Sequence, residues 1–74
     1  MVMEEVRLRK GEEFIRLGQA LKLCGEAESG AFAKTIIADG LVTVNGEVEQ
    51  RRGRKLYDGD IFCYEGNEYQ VHGT

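Results

Sequence analysis

The 74-residue sequence has no proline, a single histidine and only two cysteines. It also has no apolar run near the roughly 18 residues that a membrane-spanning helix needs. Each absence removes a class of function. Without such a run, no membrane partner is expected. The opening, MVMEEVRLRKG, shows no apolar stretch behind a basic start, so it does not read as a signal peptide and the expected location is the cytoplasm. In that reducing setting, Cys24 and Cys63 are expected as small buried apolar residues rather than a disulfide. His72 has no Cys or Ser at motif spacing and lies next to an end expected to fray. Cys24, Cys63 and His72 lack the close paired spacing of a zinc site. No glycine-rich loop with a lysine is available to cradle a nucleotide phosphate. Asp58 and Asp60 flank Gly59 and read as turn chemistry. An enzyme is therefore not expected, nor is any cofactor or metal. With no linker, repeat or low-complexity tract, residues 1–74 read as one domain and a monomer. A chain this short buries only about 60% of its unfolded surface, so its core is thin and a deep cavity is not expected.

Net charge is small but its distribution is uneven. The formal net charge is -3, which argues against a general nucleic-acid coat protein. Yet Arg51, Arg52, Arg54 and Lys55 stand within five residues, and no Lys or Arg follows them. Distribution outweighs the sum when a local polyanion site is at issue.

Periodicity places the elements. MEEVRLRKG, Met3 to Gly11, alternates weakly, with Val6 and Leu8 on one face, and reads as a short edge strand ending at Gly11. FIRLGQALKLCG carries Leu17, Ala20, Leu21 and Cys24 on one helical stripe, with Gly25 as its stop. Gly18 weakens that helix unless something packs closely upon it. Ser29 is a good cap for a second helix, GAFAKTIIAD, with Phe32, Ala33, Ile36 and Ile37 buried and Gly40 closing it. Leu41, Val42 and Val44 form a strand, Asn45-Gly46 a two-residue hairpin turn, and Val48 the return. RRGRK has no apolar anchor and reads as an exposed loop. Asp58-Gly59 turns the chain, Ile61 to Tyr64 form a strand, and Gly66-Asn67 turns it again toward Tyr69 and Val71. Phe14, Phe32 and Phe62 are expected in the core, and Tyr64 and Tyr69 in the packing of the last hairpin. The fold class is α+β: two adjacent short helices followed by a small, mostly antiparallel sheet.

Between Phe14 and Asp60 an ordered series of residues stands out: Arg16-Leu17, Leu21, Gly25, Ser29, Ala33, Ile37, Gly40, the VTVNG of Val42 to Gly46, and Gly59-Asp60. This series resembles the S4 RNA-binding domain, the module named after ribosomal small-subunit protein four. RRGRKLYDGD is typical of its small stand-alone bacterial members. The resemblance implies the αL-motif fold and a non-catalytic RNA-binding protein. For a small stand-alone member, the resemblance further implies structured ribosomal RNA or a ribosome precursor as the expected ligand. The synthase, methyltransferase and synthetase modules that accompany this domain in larger proteins have no counterpart here. Two positions depart from the family pattern. Gly18 stands where the family has aspartate, and Gly30 where it has an arginine that helps hold RNA, although the stand-alone group commonly shows glycine there.

The residues themselves suggest the same chemistry. The start of the second helix presents backbone N–H groups with Ser29 as cap and Gly30 leaving the approach open. Arg16 and Lys22 on the first helix and Lys34 on the second are candidates to line that surface. Arg51, Arg52 and Arg54 offer forked donors for phosphate, and Lys55 a point charge. Asn45 at the turn tip either reaches a sugar or base or serves only as a left-handed turn residue. Tyr57 is a candidate for stacking on a base. No interleaved aromatic run is visible, which favours folded RNA over a single strand. For RRGRK alone, the competing reading is a solvated loop. For the whole chain, the alternatives are a protein–protein adaptor and an RNA-affinity subunit of a larger assembly.

Overall fold

The computed structural model describes residues 3–73. Its elements run β1 (Glu4–Arg7), β2 (Phe14–Arg16), α1 (Leu17–Leu23), α2 (Gly30–Ala38), β3 (Val42–Val44), β4 (Glu47–Val48), β5 (Lys55–Tyr57), β6 (Ile61–Tyr64) and β7 (Asn67–His72). Five strands form one sheet in the order β1-β7-β6-β3-β4, while β2 and β5 form a separate two-stranded ribbon. Only β1 with β7 is parallel; the other pairs are antiparallel. This is the α+β arrangement that the periodicity indicates, with β1 at the sheet edge.

Local chemistry explains most boundaries. Ser29 caps α2, its Oγ accepting from the Phe32 N–H at 3.1 Å. The same helix ends in a Schellman motif. Gly40 takes φ 77°, its N–H reaches the Ile37 carbonyl, and the Leu41 N–H reaches that of Ile36. Asn45 and Gly46 both have positive φ, as the two-residue β3–β4 turn requires.

One boundary differs from the helical pattern. Phe14 to Arg16 is a strand, because these residues pair with Tyr57, Leu56 and Lys55. The helix therefore starts only at Leu17, and Arg16 is its N-cap, without a side-chain cap bond. Long-range pairing here overrides a helical spacing. The last hairpin turn also lies one residue earlier than the glycine-asparagine pair suggests. It is built on Glu65 and Gly66, both at positive φ, and Asn67 already belongs to β7.

The core forms one cluster between the five-stranded sheet, the helices and the ribbon. Phe62, Leu17, Leu21, Ile37, Leu56, Val42 and Val71 are fully buried. Phe62 stacks on Tyr69 with centroids 5.2 Å apart. Several residues expected inside are not. Phe32 lies at the flank of the Ala33, Ile36, Ile37 stripe and is exposed. Leu41, read as part of the first hairpin strand, instead closes the end of α2 ahead of β3 and is exposed as well. Phe14 is half-buried, because its strand turns it to the outer face of the ribbon. Cys24 and Cys63 are free and only half-buried. Burial still pushes the Cys24 thiol up, and it donates to the Leu21 carbonyl at 3.5 Å. His72 ends β7 rather than fraying, with Nε2 3.4 Å from Glu5.

Candidate nucleic-acid interface

The basic segment has no apolar anchor, yet it is firmly placed. Its first fixed point is Glu49, a buried carboxylate just after β4. Glu49 accepts from the Arg51 N–H at 3.1 Å, from Arg51 Nε at 2.9 Å and Nη2 at 3.1 Å, and from Arg54 Nη1 at 2.7 Å. A carboxylate withdrawn from water needs such partners. The Arg51 and Arg54 hydrogen bonds hold it well below its ordinary 4.5, at about 2, so it remains charged. The second fixed point is backbone. The first N–H groups of α1 lack partners within the helix. Leu17 donates to the Arg54 carbonyl at 2.9 Å and Gly18 to the Arg52 carbonyl at 3.0 Å. The third is Gln50, whose amide donates to the Ala38 carbonyl at 2.9 Å.

These anchors divide the four clustered bases into two kinds. Arg51 and Arg54 are paired to Glu49. Arg52 and Lys55, together with Arg16, Lys22 and Lys34, make no ion pair among the described residues.

Three of the unpaired cations meet at one place. A cleft of about 330 Å³ is lined by Arg16, Gly18, Gln19, Lys22, Gly30, Ala33, Arg52 and Gly53. Its lining is unusually small where α1 faces α2, and Arg16, Lys22 and Arg52 supply positive charge. Arg16 is held across it, with Nη1 donating to the Gly53 carbonyl at 3.1 Å. At the start of α2 the N–H groups of Gly30 and Ala31 have no partner among the described residues. Lys34 lies one turn beyond Gly30 on the same helix face. Arg51, Arg54 and Lys55 surround a neighbouring hollow that shares Gly53 with the cleft.

The two glycines that depart from the family pattern both line this cleft, for different reasons. A Cβ on Gly18 would stand 2.6 Å from Arg52 Cγ, so Arg52 lies in the space that a side chain there would fill. Gly18 stands in the first turn of α1, and this is the close packing that makes a glycine there useful. A Cβ on Gly30 would meet nothing within 4 Å.

Of the candidates named from the sequence, Arg16, Lys22 and Arg52 therefore converge, and Ser29 and Lys34 adjoin them. Asn45 is not brought to the cleft. Its Nδ2 donates to Asp60 at 3.1 Å and its Oδ1 accepts from the Ile61 N–H at 3.0 Å, so its amide fastens the hairpin turn to β6. Tyr57 sits on the ribbon, exposed beside Phe14. Residues that sequence reasoning missed are Glu49, which looks like one surface acid among many, and Gln19. Among the described residues, no group of three His, Cys, Asp or Glu could hold a metal. No helix there is long and apolar enough to cross a membrane.

Residues 6–72 match the S4 domain. The chain belongs to this family. It is 50% identical over 60 residues to the probable ribosome maturation protein RlbA of Bacillus subtilis, covering 80% of this chain and 84% of RlbA. It is 44% identical over 57 residues to the putative RNA-binding protein YbcJ of Escherichia coli, covering 77% and 81%. The solution structure of E. coli YbcJ, described as revealing an αL motif involved in RNA-binding, superposes with a TM-score of 0.70 at 39% identity. That match covers 97% of this chain and 90% of YbcJ. The S4-type fold read from the ordered motif series is thus shared along nearly the whole chain.

Proposed function

We propose that this S4-domain protein is a non-catalytic binder of folded RNA, and that its ligand is ribosomal RNA or a ribosome precursor. The cleft between α1, α2 and the basic segment is the contact surface. The observation that carries this reading is the convergence of Arg16, Lys22 and Arg52 on a small-residue cleft beside the open N-terminus of α2. Guanidinium groups and free helix-end N–H groups suit phosphate oxygens. The glycine-lined approach lets a backbone come close. Such a surface reads an RNA helix by shape and phosphate position rather than by base edges. Lys34 and Lys55 extend the positive field on either side, and Ser29 fixes the helix start. Arg51 and Arg54 act mainly through Glu49 to hold Arg52 in position. The names of the two relatives, one a probable ribosome maturation protein and one a putative RNA-binding protein, support the choice of ligand.

The test is binding to ribosomal RNA and to a random-sequence control across a salt titration. A variant with Arg16, Lys22 and Arg52 as alanine is compared with wild type, and circular dichroism verifies folding. Losing three phosphate contacts should flatten the log–log salt dependence by about 2–3 units and weaken binding. A variant that keeps wild-type slope and affinity would place the RNA elsewhere. Equal affinity for both RNAs would remove the ribosomal assignment.

A further inference from the structure

The β2–β5 ribbon carries a second surface that the cleft does not use. Pairing sets Phe14 opposite Tyr57 and Arg16 opposite Lys55, with Ile15 opposite Leu56 between them. Strand side chains alternate between faces. Leu56 is fully buried and Ile15 packs against the core, so these two form the inner face. Phe14, Arg16, Lys55 and Tyr57 share the outer one. There the Phe14 ring lies 5.9 Å from that of Tyr57, tilted by 53°. The Lys55 ammonium is 4.9 Å from the Phe14 centroid and the Arg16 guanidinium 5.6 Å. Phe14 is thus surrounded by three neighbours, and Tyr57 is the ring left open, 47% exposed. Its backbone is fixed on both sides: its N–H donates to Asp60 Oδ2 at 2.7 Å, and its carbonyl accepts from the Asp60 N–H at 2.9 Å. An exposed ring on a fixed backbone, beside two cations, can meet both things a nucleotide presents to a protein, a π-face and a phosphate.

We propose that this ribbon face is a stacking subsite for one unpaired nucleobase of the bound RNA. The proposal rests on the RNA reading above. The base lies on Tyr57, Lys55 and Arg16 meet the flanking phosphates, and Phe14 holds all three side chains in place. Arg16 belongs to both surfaces, since it also lines the cleft. A strand leaving the cleft there passes directly onto the ribbon. Two of the nearby acids have partners within the fold: Asp58 accepts from the Gly73 N–H at 2.8 Å, and Asp60 accepts from the Tyr57 N–H and the Asn45 amide. The ligand class is therefore a folded RNA with a single-stranded nucleotide beside its paired region. The sequence shows no aromatic platform because Phe14 and Tyr57 meet only through strand pairing.

The test uses two RNAs: a blunt hairpin, and the same hairpin with a short single-stranded extension carrying 2-aminopurine, whose fluorescence is quenched by stacking. The proteins are wild type, Tyr57→Ala and Tyr57→Phe. Wild type should bind the extended RNA more tightly and quench the probe. Tyr57→Ala should lose about 5- to 150-fold on the extended RNA, the range for removing one aromatic–base stack, with no change on the blunt one. Tyr57→Phe should retain both affinity and quenching. If the blunt hairpin binds but the extension adds neither affinity nor quenching, the subsite is wrong and the cleft reading stands. The same holds if Tyr57→Ala binds both RNAs as wild type does. Binding and quenching with the extended RNA alone would keep the subsite and overturn the cleft. Failure of both RNAs to bind would overturn both.

Discussion

The last hairpin and the basic segment before it are placed by opposite means. In β6 and β7, Phe62, Tyr64, Tyr69 and Val71 are buried, and a continuous ladder joins the strands. Between Glu49 and Lys55 no apolar side chain is available. That segment is fixed by one buried carboxylate, two backbone carbonyls set on the start of α1, and the Gln50 amide on the end of α2. A small domain has little apolar surface to spend, so its apolar residues go to the framework. The segment that must present charge to solvent is instead held by polar groups. The comparison implies that the two regions can be damaged separately.

The largest effect is expected in the hairpin. Phe62→Ala removes a fully buried ring stacked on Tyr69. Such truncations cost about 3–5 kcal/mol, which approaches the whole stability of a small domain, about 5 kcal/mol at the low end. The variant should melt far below wild type by circular dichroism. RNA binding should be lost only as a consequence of unfolding.

Glu49→Gln should do the reverse. It leaves the framework intact but removes the charge that Arg51 and Arg54 share, at a cost of about 1–3 kcal/mol. Amide exchange at Leu17 and Gly18 reports on the segment directly, because their N–H groups donate to Arg54 and Arg52. Those amides should exchange faster in the variant while the amides of β6 and β7 keep their protection. Uniform acceleration across the chain would show that the segment and the framework are one unit. Acid offers the same test without a mutation. Glu49 is depressed from 4.5 to about 2 in the folded state. Its contribution is therefore complete above about 4.5 and is lost as pH falls toward 2. Wild-type stability should drop across that interval more steeply than that of Glu49→Gln.

This contrast also explains what the sequence shows and what it hides. The framework was legible because its signals are local and periodic: the Ala33, Ile36, Ile37 stripe, the Ser29 cap, and the Asn45-Gly46 turn. Of the cleft's cations, Arg52 was legible as one of four bases in five residues, and Arg16 and Lys22 as charged positions off the apolar stripe of the first helix. Their arrangement was not. Nothing marks Glu49 as the acid that is buried, since the exposed Glu47 stands only two residues before it and its partners lie on both sides of a turn. Strand β2 was concealed inside a helical spacing because only β5, about forty residues on, makes it a strand. The same pairing creates the aromatic face. Asn45 was read correctly as a turn residue, but the Asp60 contact that occupies its amide spans fifteen positions.

The smallest effects, and the sharpest for the cleft itself, come from its two glycines. Gly18 is filled by Arg52, so Gly18→Ala forces that side chain aside; its Cγ lies only 2.6 Å from the added carbon. Gly30 opens onto free space and its φ is not in the left-handed region, so Gly30→Arg fits without strain. Stability should change little in the second case. Replacing a helical glycine gains up to about 1 kcal/mol, and a cation at a helix N-terminus loses about 0.3–1 kcal/mol. Binding should move in opposite directions. Displacing Arg52 removes one phosphate contact, and an arginine at position 30 adds one, so the salt slopes should shift by about one unit each way. Opposite shifts of similar size would locate the phosphate path between α1 and α2. Two unchanged slopes, with both variants folded, would mean that the cations of the cleft converge on a place the RNA does not occupy.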